Sequence, residues 1–251
     1  MVEIMQHKKE LLAFLGNLEN RVLLDYGCGA GDFIELMLNH NPMKIHAVDS
    51  IPSTISEIKS KFKEKTTMGL ISTEITKDPD SINEKFDKII CHNVLECIED
   101  KVGFVNKFER LLLPQGIFLL SHHDFDSAVY NSNDEELTRN LIHNFADTKQ
   151  KWQEYSDGKM GRKIPGIIEK SVFKESANFF VMRKMERTFS EGNYGYLMAS
   201  MIIEVAKRKF DDRVIRNWYE DLEQLSKSRN YYFAIDLVVA ILSKENTLLP
   251  T

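Results

Sequence analysis

Short apolar runs alternate with amphipathic stretches through the first half of the chain. Residues 21–26 form an apolar run closed by glycines, the pattern of a central parallel strand buried on both faces. Ahead of it, Leu11, Leu12, Leu15 and Leu18 recur at helical spacing and predict a leading helix over 5–18. After it, helices are predicted over 32–39, with Phe33, Leu36 and Met37 inward, and over 52–63, with Ile55, Ile58 and Phe62 on one face. Strands are predicted over 44–48, 68–75, 86–92 and 117–121. A helix at 103–112 and a Pro114-Gln115-Gly116 turn precede the last of these. This alternation predicts an α/β fold: a Rossmann-like, doubly wound, mostly parallel sheet.

Beyond Ser121 the rhythm changes. Residues 134–155 read as polar amphipathic helix, and 159–178 as a connection with a short helix. Residues 179–189 read as a strand, 194–210 and 211–226 as two helices, and 231–242 as a last strand, the seventh. Two helical segments, about 126–160 and 191–228, thus interrupt the late strands. No Pro/Gly/Ser-rich linker, repeat or low-complexity tract intervenes, so the expectation is one domain over 1–251 with the two segments inserted as a lid.

Composition adds little and excludes more. The 251 residues carry a formal net charge of -5, which disfavours nucleic acid as an obligate partner. The Lys-rich stretch 59–65 alternates with Ser, Phe and Glu and reads as a solvated helix face. Cys28, Cys91 and Cys97 have no paired spacing, so neither a metal site nor a disulfide framework is expected, and reduced thiols fit a cytoplasmic protein. The N-terminus lacks a signal-peptide core, and no apolar run reaches membrane-spanning length. A homodimer is compatible with this composition.

The candidate chemistry begins at Asp25-Tyr26-Gly27-Cys28-Gly29-Ala30-Gly31. Glycines after a strand let backbone N–H groups approach a ligand, and the following helix start favours anions or nucleotides. Asp32 stands where a dinucleotide fingerprint has its third glycine. Asp49 ends the next strand about 20 residues on, where a carboxylate suits a ribose diol.

These residues resemble the class I S-adenosylmethionine-dependent methyltransferases. Residues 22–33 are similar to the family's first motif, and 86–96 to its fourth-strand motif. Residues 108–118 are similar to its helix–turn–fifth-strand region. A departure is Cys97, where many relatives carry His after Leu-Glu. Past 121 the likeness is looser, to a bacterial small-molecule branch through Asp124-Phe125-Asp126, Leu137-Thr138-Arg139, residues 157–162 and residues 218–222.

The resemblance implies S-adenosylmethionine as cofactor and its demethylated form, S-adenosylhomocysteine, as product. By the same resemblance Asp25, Gly27, Cys28 and Gly29 shape the methionine end. Asp49 holds the ribose, with Ser50 and Ile51 against the adenine. Thr73, Glu74 and Ile75 lie near the adenine edge, and His92, Asn93 and Val94 lead from the fourth strand into the cleft.

The acceptor half is read from position. Ligands bind at the carboxyl ends of such strands, and His122, His123 and Asp124 follow the fifth one. They are candidates to orient or deprotonate an acceptor, with His122 and Asp124 on one side and His123 on the other. Tyr130, Trp152, Tyr194 and Tyr196 are candidates for an aromatic substrate pocket, and Arg162 for an anionic substrate group. An amine acceptor must lose a proton, a phenol needs a base, and a carboxylate needs neither. The expected function is methyl transfer to an N or O atom of a small molecule. An RNA or protein methyltransferase, or a non-catalytic cofactor-binding regulator, remain alternatives.

Overall fold

The computed structural model describes residues 2–151, 153–156 and 158–244, with side chains from Gln6 onward. Its strands are β1 (Val22–Tyr26), β2 (Lys44–Asp49), β3 (Ile71–Ile75), β4 (Phe86–His92), β5 (Leu112–Tyr130), β6 (Asn178–Glu186) and β7 (Phe233–Ser243). They form one sheet in the order β3-β2-β1-β4-β5-β7-β6. Strands β1 to β5 pair in parallel. Strand β7 enters antiparallel between β5 and β6.

Successive strand residues point to opposite faces, so an all-apolar strand feeds two cores. Leu23 and Leu24 do this on β1. Leu23 joins Leu11 and Leu15 with residues of α2 (Asp32–Leu38) and α3 (Pro52–Lys61); Leu24 joins Phe104 of α5 (Lys101–Lys107) with Ile164 and Ile168 of α7 (Ile164–Ile168). A short α4 (Lys63–Thr67) follows α3 with no buried residue, as the solvated Lys-rich face requires. The leading helix α1 (Val2–Ala13) stops short of its expected end. Leu15 and Leu18 are still buried, but beyond the helix, on either side of Gly16 with its φ of +69°.

Strand β5 departs most from expectation. The turn at Pro114-Gln115-Gly116 is a bulge inside it: Phe86 pairs with Leu112, and Lys88 already with Ile117. The strand then continues nine residues past Ser121. Polar His122, His123 and Asp124 are thus strand residues and not a loop, paired with Val238, Leu237 and Asp236 of β7. A second irregularity, between Asp124 and Val129, is filled by Ser127. Its hydroxyl donates to the Asp124 carbonyl (2.6 Å) and accepts the Asp236 N–H (2.9 Å).

The long β5–β7 pair carries a third core. There α6 (Glu135–Asp147), α8 (Tyr194–Ala206) and α9 (Asp212–Lys227) pack through Phe145, Met198, Ile202 and Trp218 onto Phe233 and Ile235. The helices of the two inserted segments are therefore present, with α6 ending at Asp147 and not reaching residue 155.

Candidate functional site

The glycine loop is fixed by its neighbours. Gly27 has φ +77°, and a Cβ there would lie 2.3 Å from Val94 Cγ2, so only glycine lets the loop pass under the end of β4. The N–H groups of Gly27 and Cys28 donate to the Val48 carbonyl (2.8 and 2.9 Å). Asp49 caps the arrangement from β2: Oδ2 accepts the Gly29 N–H (3.1 Å) and Oδ1 the Ile51 N–H (2.9 Å). A carboxylate has about four acceptor directions. Two stay open toward the cleft.

That cleft, about 170 Å³, lies between Gly27, Asp49, Ser50 and Ile51 on one side and Asn93, Val94, Cys97 and Ile98 on the other. Ile51 is 54% exposed, an apolar lip suited to a flat base. The third wall is Thr76 and Lys77, not residues 73–75. Glu74 instead accepts a hydrogen bond from Ser81 Oγ (2.7 Å), with His46 Nε2 at 3.3 Å, so β3's end is tied up below the cleft. Thr76, Lys77 and Ile98 escaped the sequence reading because they sit in polar or short connections whose course depends on the fold.

Asp25, at the end of β1, is 2% exposed and its Oδ2 has no protein partner. Burial pushes its carboxyl up to about 7, partly offset by the Lys8 charge. Lys8 itself pairs with Asp32 (2.5 Å) and so draws α1 over the start of α2. An unsatisfied buried acceptor beside a backbone cradle suits a ligand that brings a cationic donor.

Next to it lies a group of imidazoles. His123 is 3% exposed. Its ring stacks on Tyr194 (centroids 4.7 Å, 14°), with His92 at 5.4 Å and His7 of α1 at 5.8 Å. The Nε2 atoms of His7 and His123 are buried without a protein partner. Burial lowers the His7 pKa to about 4 and holds His123 well below the ordinary imidazole range, so both rings are neutral at pH 7. Asn93 braces the group from a left-handed backbone (φ +56°). Its N–H donates to the Ser121 carbonyl, and its Oδ1 accepts the His123 N–H (3.0 Å). His7 was not legible in the sequence, where it is one polar residue of an amphipathic helix.

The other acceptor candidates separate from this group. His122 points to the opposite face of the sheet, as the alternation predicts. Its Nδ1–H donates to the His123 carbonyl (2.8 Å), and its Nε2 lies 3.6 Å from Glu96 Oε2. Asp124, on that face too, is held by Arg162 through Nε (2.5 Å) and Nη2 (2.8 Å), which removes both from the cleft. Tyr130 is core: its hydroxyl donates to the Gly195 carbonyl (2.7 Å). Tyr196 packs between Phe189 and Tyr219 in the helical layer. Of the aromatic candidates, Tyr194 meets the imidazoles; Trp152 lies outside the described residues.

The chain matches the methyltransferase domain family over residues 17–211. It is 30% identical over 100 residues to malonyl-[acyl-carrier protein] O-methyltransferase 2 of Ilyobacter polytropus, 39% of this chain and 38% of that protein. The match thus spans well under half of that relative. Among solved structures, the YcgJ protein of Bacillus subtilis superposes with a TM-score of 0.59 at 14% identity, covering 96% of this chain and 99% of that one. Phosphoethanolamine N-methyltransferase 2 of Haemonchus contortus, in complex with phosphomonomethylethanolamine and S-adenosylhomocysteine, gives 0.54 at 14% identity, covering 96% and 53%. At such identities the two structures show a shared fold.

Proposed function

Because the chain belongs to the class I S-adenosylmethionine-dependent methyltransferases, we propose that it methylates an N or O atom of a small molecule. The acceptor would be enclosed between the ends of β4 and β5, α1 and the start of α8. The enclosure carries this reading: His123 meets Tyr194 and His7, at 4.7 and 5.8 Å between ring centroids, next to the cleft that Asn93 lines. A covered polar site suits a small ligand better than a macromolecular surface. The O-methyltransferase relative supports the oxygen arm of the reading.

The residues present fit the cofactor. The two open acceptor directions of Asp49 would take the ribose hydroxyls, Ser50 and Ile51 would meet the adenine, and the orphaned Asp25 oxygen would face the ammonium of the methionine end. When bound, S-adenosylmethionine supplies a methyl group already activated on a sulfonium. The chain's task is then alignment and exclusion of water, which contributes up to roughly 7–11 kcal/mol in ideal cases. Gly27, Asn93 and Val94 shape the floor; α1 and Tyr194 keep solvent from the reacting end. Segments 126–160 and 191–228 would form the cover of one domain running through 1–251.

A labelled-methyl transfer screen across amines, phenols, carboxylates and bulk tRNA tests the reading. Label is expected in a small molecule. Incorporation confined to tRNA or protein would overturn it. In hydrogen exchange, S-adenosylhomocysteine together with the acceptor found in that screen should protect both segments; no protection in either counts against a cover.

A further inference from the structure

The hydrogen bonds of Asn93 determine which nitrogen of His123 carries its proton. Asn93 Oδ1 accepts the backbone N–H of His123 at 3.0 Å, and that donor is unambiguous. The amide is thereby oriented, and Nδ2 faces two ring nitrogens: His123 Nδ1 at 2.9 Å and His92 Nε2 at 3.1 Å; His123 Nδ1 also has a longer contact to Oδ1, at 3.3 Å. An amide nitrogen has two hydrogens and no lone pair to offer. His92 Nε2 therefore accepts, and so does His123 Nδ1 at the shorter of its two contacts, Oδ1 being already taken by the backbone N–H. His92 carries its proton on Nδ1, against Ser121 Oγ at 2.9 Å. His123 carries its proton on Nε2, the buried atom that no protein group satisfies. Stacking on Tyr194 keeps the ring from turning away.

We infer that Asn93 is a positioning residue that presents His123 Nε2–H as a hydrogen-bond donor to the methyl acceptor, and that the acceptor is a carboxylate methylated on oxygen. The inference rests on the small-molecule reading above and narrows it. A donor at this place satisfies an oxygen lone pair, which a carboxylate offers in every direction and a hydroxyl or amine only on the side away from its own hydrogen. His123 in this tautomer takes no proton at Nε2, His92 Nε2 is occupied by Asn93, and Asp124 is occupied by Arg162, which leaves His7 Nε2 as the one open ring nitrogen of the group. A carboxylate needs no base. One oxygen takes the His123 N–H. A lone pair on the other forms the new O–C bond while the sulfonium–methyl bond breaks with its electron pair kept on sulfur. The negative and positive charges cancel, and no proton moves.

The test uses the full chain with 15N-histidine labelling. Long-range 1H–15N spectra should show His123 as the neutral Nε2–H tautomer, with its Nε2 signal shifting on addition of a carboxylate from a panel of short- and long-chain acids. Asn93→Asp, which tolerates the left-handed backbone and accepts where the amide donates, should move the proton to Nδ1. His123→Phe keeps the stack and removes the donor. It should leave S-adenosylhomocysteine affinity within about threefold and abolish alkali-labile methyl ester formation. A Nδ1–H tautomer in the wild type, or no shift with any acid, overturns the inference. So does a loss of S-adenosylhomocysteine affinity beyond tenfold in His123→Phe, which would place the donor on the cofactor. Alkali-stable methylation of an amine or phenol would sink the carboxylate and leave the small-molecule reading standing.

Discussion

Asp124 and Asp236 stand directly opposite each other across β5 and β7, and each has its own arginine. Arg162 binds Asp124 at 2.5 and 2.8 Å; Arg183 binds Asp236 at 2.7 and 2.9 Å from the neighbouring strand β6. Facing carboxylates in a sheet repel unless neutralised. Asp124 is nearly buried and Asp236 is not. Arg162→Met should therefore cost about 2–3 kcal/mol. Arg183→Met, at a wetter site, should cost about 1 kcal/mol or less. Adding Asp236→Asn to Arg162→Met should recover part of the loss. Urea unfolding of the set measures the coupling.

Asp49→Ala should weaken S-adenosylhomocysteine binding more than tenfold. It removes the proposed ribose acceptor and also the cap on the N–H groups of Gly29 and Ile51. Asp49→Asn keeps one acceptor oxygen and should fall between. Calorimetry that finds Asp49→Ala unchanged removes this residue from the site.

Gly27→Ala should abolish cofactor binding, because the new methyl overlaps Val94 and φ is +77°. Pairing it with Val94→Ala removes the 2.3 Å contact but not the backbone strain of about 1–2 kcal/mol. The double variant should thus bind measurably but below wild type. Equal loss in single and double variants would show that strain alone decides.

The buried ionisable groups pull stability in opposite pH directions. His7 and His122 titrate near 6.5 when unfolded and about 4 when folded, so their contribution is present above 6.5 and lost as pH falls toward 4. Glu96 runs the other way: burial raises it from 4.5 to about 7, so its contribution is full below 4.5 and lost as pH rises through 7. Glu96→Gln keeps an acceptor for Gln153 Nε2. It should match wild type near pH 4.5 and exceed it near pH 8 by roughly 1–3 kcal/mol. His7→Gln should flatten the acid limb. Thermal melts across pH 4–8 test both signs.

The glycine-loop side of the cleft was legible because its signals are local. Glycines 27, 29 and 31 end an apolar strand, and Asp49 ends the next, so spacing alone places them. The surroundings of His123 were not, because their signals depend on partners far along the chain. His122-His123-Asp124 looks like a loop until β7, about 115 residues later, supplies the ladder. Arg162 looks like a substrate ligand until Asp124 is seen to be buried. His7 gains meaning only when α1 lies over β5, and Lys77 only when the chain after β3 turns back toward β4.

Strand β5 has one more consequence. Its 19 residues run as one strand, bulged twice, from the parallel sheet into the helical layer. The helical layer therefore shares a structural beam with the parallel sheet. It should melt with the sheet as one cooperative unit and resist excision as a separate fragment. A local opening would then fall to what lies off that beam: the connection after α6, tied where Gln153 meets Glu96, and α1, latched by Lys8 to Asp32.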